Sequence, residues 1–371
     1  MKRVTGVVFL VFCTFIGSGC QFGEKPRIRF GTYPSSTIGA TFLSAEQLGP
    51  HGYYFDLGEK DGLVYTCRGG HIDIAHVRIA ADWTRYIAKR SYKCIMEGER
   101  GFSFVLTVEP SVCYVQIEYP PNWEELRRSQ KKAIARKMSI EIGEYAAYSI
   151  TTWHEILTWF GYKCIAFLPE FPSAFSWEDS YSNLLGVRLA GDVLSSADNL
   201  VEFRSVRYYE KGMAKAIERE LDKLGAQPAR VAIAASEKVR NKWFSGPCLF
   251  MVDMRMRNFD TGLDDGFITP TLVPDISECG DTEAQSYPVP DLEFAEASGF
   301  TVKVEIEPRE WERGKILNIA NGAERDKKRR IDPRADFVSL LSYMYHQASS
   351  GGYMLYPSVD SWFGLRAWDT E

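Results

Sequence analysis

Only five histidines occur in this 371-residue chain, so each one carries weight. No two cysteines stand in a CxxC pair, which excludes a thioredoxin-type redox motif and a zinc ribbon. No apolar run reaches the roughly 20 residues a membrane-spanning helix needs. A basic excess is also missing: 44 Lys and Arg against 49 Asp and Glu leave a formal charge of −5. Neutralising phosphates supplies most of the affinity for nucleic acid, so a mildly acidic chain without a long basic run excludes that class. Internal repeats and low-complexity tracts are absent as well. What is present is 45% apolar and 13% aromatic residues, enough to bury a large core in one big domain or two smaller ones.

At the N-terminus, Lys2 and Arg3 precede the apolar run "VTGVVFLVFCTFIGSG", which stops at Cys20. A basic start, roughly fifteen apolar residues and small residues at the end describe a secretory signal. Gly17, Ser18 and Gly19 before Cys20 resemble a bacterial lipoprotein cleavage box, although Gly17 stands where Leu is usual. The resemblance implies removal of residues 1–19 and diacylation of Cys20; an ordinary secretory signal is the alternative. Two acyl chains anchor a protein stably, each buried methylene contributing about 0.8 kcal/mol. Gln21, in place of Asp, resembles an outer-membrane address in the enterobacterial sorting pattern. The expectation is a cell-envelope protein held to the membrane through Cys20, on the periplasmic face of the outer membrane, with an envelope substrate or ligand. Loss of Lys2 and Arg3 takes the formal charge from −5 to −7. Cys67, Cys94, Cys113, Cys164, Cys248 and Cys279 then permit up to three disulfides of open connectivity.

Further along, "RIRFGTYPSSTIGA" reads as a short strand and turn, and "GLVYT" (62–66) as a strand before the breaker "CRGG". Asp73 suits the N-cap of a helix through "IAHVRIAADWTRYIAKR". "KCIMEGERGFSFVLTV" and "VCYVQIEYPP" alternate apolar and polar residues like strands. A long helix is expected over about 124–160, charged in its first half and apolar on nearly every side from Ile140 onward, as in a helix crossing the interior. Ser176, with Asp179 three residues on, opens another helix in capping-box fashion. Helices follow at "YYEKGMAKAIERELDKLG" and "PARVAIAASEKVRNKWF", and a strand at "PCLFMVDMRM". Residues 258–295 read as a long loop or boundary between a main domain at 20–257 and a C-terminal strand–helix segment at 296–371 packed on it. That segment contains the strand "FTVKVEIEP" and the helix "DFVSLLSYMYHQAS". Mixed order without βαβ regularity points to the α+β class, with mostly antiparallel strands around a central buried helix.

Angular bookkeeping at about 100° per residue separates the helix faces. His76 shares a face with Ala80, Trp83 and Ile87, while Arg78, Asp82, Arg85 and Lys89 lie opposite, so His76 points inward. In "SITTWHEILTWFGY" (149–162), His154 lies in line with Gly143, Ala147, Ile150 and Leu157. Gly143 and Ala147 are small enough for the His76 helix to approach there. A polar stripe of Glu144, Thr151, Glu155 and Thr158 runs beside them, with Tyr148 between the first two. Burying unpaired polar groups costs several kcal/mol, so this stripe faces either a cavity or satisfying partners. A zincin needs a second histidine four residues after the first, and Thr158 occupies that position. Two chemistries remain. One is a divalent metal such as zinc on His76, His154, Glu155, His71 and Asp73; the other is metal-free acid/base catalysis by His76 and His154, with Glu155 or Glu144 orienting an imidazole. Structural, hydrogen-bonded core histidines are the competing reading.

Cys67, beside Arg68 in "YTCRGGHIDIAH", is the candidate nucleophile of a thiol hydrolase or acyltransferase, since nearby positive charge favours the thiolate. Yet Cys67 precedes Asp73 by six residues, whereas papain-like and cell-wall cysteine peptidases carry the nucleophile on the helix's first turn. A buried thiol or half of a disulfide is the alternative. Glu178 and Asp179 read first as helix-start carboxylates, and "ERDKKRR" (324–330) as a solvated loop with a weak membrane-surface reading.

"GLVYTCRGGHIDIAHVRIAADWTRYI", "WHEILTWFGY" and "EFPSAFSWEDSYSNLLG", in this order behind a lipoprotein-type signal, resemble the bacterial family carried as domain of unknown function 4056. The resemblance brings no reaction, cofactor or substrate; it implies that the three blocks form one site. The expected function is an envelope hydrolase or acyl transferase using His76, His154 and Glu155, with Cys67 as the alternative nucleophile. A non-catalytic envelope-binding lipoprotein with structural histidines is the alternative.

Overall fold

The computed structural model describes residues 24–163, 170–322 and 328–356. The signal at 1–19, Cys20, Cys164 and most of "ERDKKRR" lie outside the described residues. A hairpin, β1 (Leu63–Thr66) and β2 (Gly70–Asp73), leads directly into α1 (Ile74–Glu97). Asp73 caps α1 as expected, its carboxylate accepting the Ala75 N–H. The expected strand from Lys93 begins later, because residues 93–97 complete the last turn of α1. Gly98, at φ 70°, then closes the helix by donating its N–H to Cys94 O.

β3 (Gly101–Val105) and β4 (Val112–Glu118) follow, and the strand Thr301–Glu307 pairs antiparallel with the other edge of β4. The C-terminal segment thereby completes a three-stranded sheet begun two hundred residues earlier. Next come α2 (Arg128–Trp159), the long central helix, and α3 (Asp179–Ser195). The remaining strands form two-stranded pairs, one of them parallel, so the architecture is α+β with mostly antiparallel strands. No described helix is long and apolar enough to cross a membrane.

α1, α2 and α3 pack on one another around the core, and small residues set how closely. A Cβ on Gly143 of α2 would lie 2.7 Å from Thr84 O of α1, the approach its size anticipates. A Cβ on Gly186 of α3 would lie 2.2 Å from Val77 O. The three helix backbones therefore converge near the N-terminal half of α1, where His76 sits.

Two further expectations need correction. The segment 27–36 forms no strand. Its arginines are drawn inward instead: Arg29 reaches Glu59 at 2.8 Å, Asp82 at 2.6 Å and Gly52 O at 2.6 Å. The charged face of α1 is covered by residues 29–61 together with Arg204 and Tyr209, so Arg78, Asp82 and Arg85 are buried. Arg78 bonds Asp61 at 2.8 Å, His51 bonds Asp82 at 2.9 Å, and Arg85 stacks 4.4 Å from the Tyr53 ring centroid. Finally, "PCLFMVDMRM" divides into a 3-10 turn, Leu249–Met251, and two short strands, Asp253–Met254 and Met256–Asn258.

Candidate functional site

Where the three helices converge, a cavity of about 360 Å³ opens to the surface. His76 of α1, Thr151, His154 and Glu155 of α2, and Asp179 and Asn183 of α3 supply its polar wall. Ile79, Trp83, Leu106, Val108, Leu249 and Phe250 supply apolar surface, and residues 29–33 close one side. Both imidazoles thus face one open space.

Each imidazole is held by a carboxylate. His76 Nδ1 lies 3.1 Å from Asp73 Oδ2 and 3.6 Å from Asp179 Oδ1. Asp73 is itself fixed by the Thr32 N–H at 2.9 Å and the Ala75 N–H at 2.8 Å, so it orients the ring and has little freedom to do more. A Cβ on Gly31 would stand 2.8 Å from His76 Cε1; only glycine lets this loop lie against the ring. His154 Nδ1 pairs with Glu109, a buried residue of the β3–β4 connection. That leaves Nε2 as the nitrogen able to serve a ligand.

Glu155 and Asp179 are placed by the turn before α3. Glu155 Oε2 accepts the Phe175 N–H at 3.0 Å, and Phe175 adopts φ 54°, a left-handed conformation that costs a bulky residue on the order of 1 kcal/mol or more. Arg257 braces this turn, donating to Pro172 O at 2.8 Å and Ala174 O at 2.6 Å. The Ser176 N–H and O–H both donate to Asp179 Oδ2, at 2.6 and 3.0 Å, which is half of the expected capping box; the helix itself starts at Asp179 with Glu178 as its N-cap, so Ser176 does not cap it. Asp179 Oδ1 stays turned toward His76.

The electrostatics follow from crowding carboxylates out of water. Burial, and then Glu155, pushes the Asp179 carboxyl well above the usual carboxylate range. Burial, followed by Asp179 and Asp73, does the same to Glu178. For His76, burial opposes the charged form, but Asp73, Asp179 and Glu155 outweigh it and hold the imidazole well above its ordinary value. Burial opposes the charge on His154 too, and Glu109, helped by Glu155 and Glu170, raises that ring to about 9.

Two sequence-nominated residues do not belong here. Cys67 is joined to Cys279 in a disulfide, Cα to Cα 5.1 Å, so it has no thiolate and the nucleophile assignment fails. His71 is excluded as a metal ligand because both its ring nitrogens are engaged away from the cavity. Its Nε2 lies 3.2 Å from Ala232 O, and the Trp177 indole N–H points at Nδ1 from 3.4 Å. The polar stripe is also partly self-satisfied: the Thr151 and Thr158 hydroxyls donate to carbonyls of their own helix, and Tyr148 to Thr261 O. Of that stripe, Thr151 and Glu155 reach the cavity. Asp179, Glu109 and Asn183 are the site residues the sequence reading did not nominate.

His71 carries a prediction of its own. Burial depresses its ring from 6.5 to about 4, only partly offset by the hydrogen bond to Ala232 O. A depressed folded value means the stabilisation is complete above pH 6.5 and lost as pH falls toward 4. The difference is worth up to about 3 kcal/mol. Urea melts between pH 7 and pH 4 should show His71→Gln losing markedly less stability over this interval than the natural protein; parallel losses would contradict the assignment.

The fold and site define an α+β protein with an imidazole–carboxylate cavity at a three-helix junction. The chain belongs to the family described as "Protein of unknown function (DUF4056)", which matches residues 16–248. The cavity's histidines and carboxylates all fall within that span, whereas Arg257 and Cys279 lie beyond it. No curated protein and no solved structure matches the chain.

Proposed function

We propose that the protein is a cell-envelope hydrolase or acyl transferase that works on an acyl carbonyl bound in this cavity. The observation carrying the reading is that two imidazoles, each oriented by a carboxylate, open onto one apolar-walled space. In this reading His154, oriented by Glu109, gives its proton to the leaving oxygen as that oxygen's bond to the carbonyl carbon breaks, and it regains a proton from the water or acceptor hydroxyl whose oxygen has bonded to the same carbon. The attacking group in this reading is a water or acceptor hydroxyl from outside the protein, since Cys67 is bonded to Cys279. Trp83, Ile79 and Val108 offer surface for an acyl chain, and Phe30 and Phe250 stand 66% and 64% exposed where such a chain would enter. The test is turnover of p-nitrophenyl acetate, butyrate and octanoate. The natural protein should hydrolyse at least one above background, and His154→Gln should not; failure of the natural protein on all three counts against acyl chemistry.

The envelope address belongs to the same proposal. Its support is the lipoprotein-type signal before Cys20, together with the Cys67–Cys279 disulfide, a bond that persists in oxidising compartments. The expected partner is the membrane, through the lipidated Cys20. Metabolic labelling with an alkynyl palmitate should mark the natural chain and spare Cys20→Ala, which should also leave the membrane fraction; equal labelling of both would sink the anchor.

A further inference from the structure

We infer that His76, Glu155 and Asp179 form a binding site for one divalent transition-metal ion. They come from three different helices, yet one ligand atom of each lies within 4.8 Å of the others. Small side-chain rotations close that spacing to the separations of about 3–4 Å found between ligands bonded at 2.0–2.2 Å to one ion. The set is one imidazole nitrogen and two carboxylate oxygens, with no thiolate, which suits zinc, manganese or ferrous iron.

Two independent observations point to a cation-binding role. The first is charge. Asp73, Glu155, Glu178 and Asp179 are all buried around a single imidazole, and among the described residues no lysine or arginine forms an ion pair with any of them. Unpaired buried carboxylates are strongly unfavourable, and a divalent ion at their centre removes most of that cost. The second is Asn183, four residues after Asp179 on the same helix. It is 2% exposed and lines the cavity, and its amide oxygen has no hydrogen-bond partner. Buried amide oxygens are almost always satisfied, and this one, on the wall of the same cavity, can accept from a metal-bound water. Asp73, whose Oδ2 lies 3.1 Å from the same His76 Nδ1 that faces Asp179, adds negative charge beside the site.

The site deepens the acyl-transfer reading, because a bound ion would supply an activated water beside His154, but its existence does not depend on that reading. The experiment uses the full chain, purified without chelator or metal-affinity resin. Elemental analysis should find close to one zinc, manganese or iron per chain. After chelation, calorimetric titration with Zn²⁺ or Mn²⁺ should regain one site, weakened at least about 100-fold in Glu155→Gln and Asp179→Asn. Should either variant fail to fold, Co²⁺ added to the natural protein gives a second readout, a visible ligand-field band that Zn²⁺ displaces. His154→Gln should keep the metal. Absence of stoichiometric metal with no saturable binding, or binding unchanged in both variants, overturns the site. A metal-loaded protein inert toward every ester would instead remove the acyl-transfer reading and leave the site standing.

Discussion

Arg29→Met is expected to cost about 3–5 kcal/mol of folding stability, the range for removing one partner of a buried ion pair. Arg29 is the shared cation of Glu59 and Asp82, and all three side chains are fully buried. Methionine fills much of the same volume, so the loss isolates charge more than packing. Asp82 would keep His51, whose own protonation is disfavoured chiefly by burial. Glu59 would keep Arg27 and the more distant Arg78, at 3.7 Å. Because residues 29–33 also close one side of the cavity, the same substitution should loosen that wall. Denaturant midpoints of the two proteins at pH 7 measure the effect. A change below about 1 kcal/mol, the level of an exposed pair, would show that the network is solvated.

Glu109→Gln is expected to lower turnover by about 10²–10⁴-fold, the usual worth of a positioned proton-transfer group. Glutamine keeps the shape and one acceptor oxygen but removes the negative charge that holds His154 in its protonated form up to about 9. The fall should appear in kcat with KM little changed, since Glu109 acts through His154 and leaves the apolar wall untouched. The pH profile should also move: the ring's protonation limit drops toward its ordinary value, so residual activity is lost at lower pH than in the natural protein. An unchanged profile and rate would leave the Glu109–His154 pair as structural support only.

Much of the frame was legible in the sequence. Asp73 marks the start of α1, Gly143 marks the helix contact, and the three quoted blocks do converge, through His76, His154 with Glu155, and Asp179. Angular periodicity placed His76 and His154 inward for a simple reason: each helix side is written in its own residues. Periodicity does not say what covers a face. Arg78, Asp82 and Arg85 lie opposite His76 on α1, and only the packing of the 29–61 segment and its neighbours shows them buried. It also names no partner from a distant loop. Glu109 meets His154 across 45 residues of sequence, and Cys279 meets Cys67 across 212. Asp179 was visible as a capping carboxylate and does serve Ser176. Its second oxygen, free to turn toward His76, is a matter of tertiary geometry.

The central claim is that His76 and His154 serve one reaction in one cavity. A double-variant cycle on ester turnover tests it most directly, comparing His76→Gln, His154→Gln and the pair. Residues acting as a unit are strongly non-additive, so the account predicts a double variant about as slow as the slower single one. Losses that simply multiply, or turnover that survives both substitutions, would contradict it.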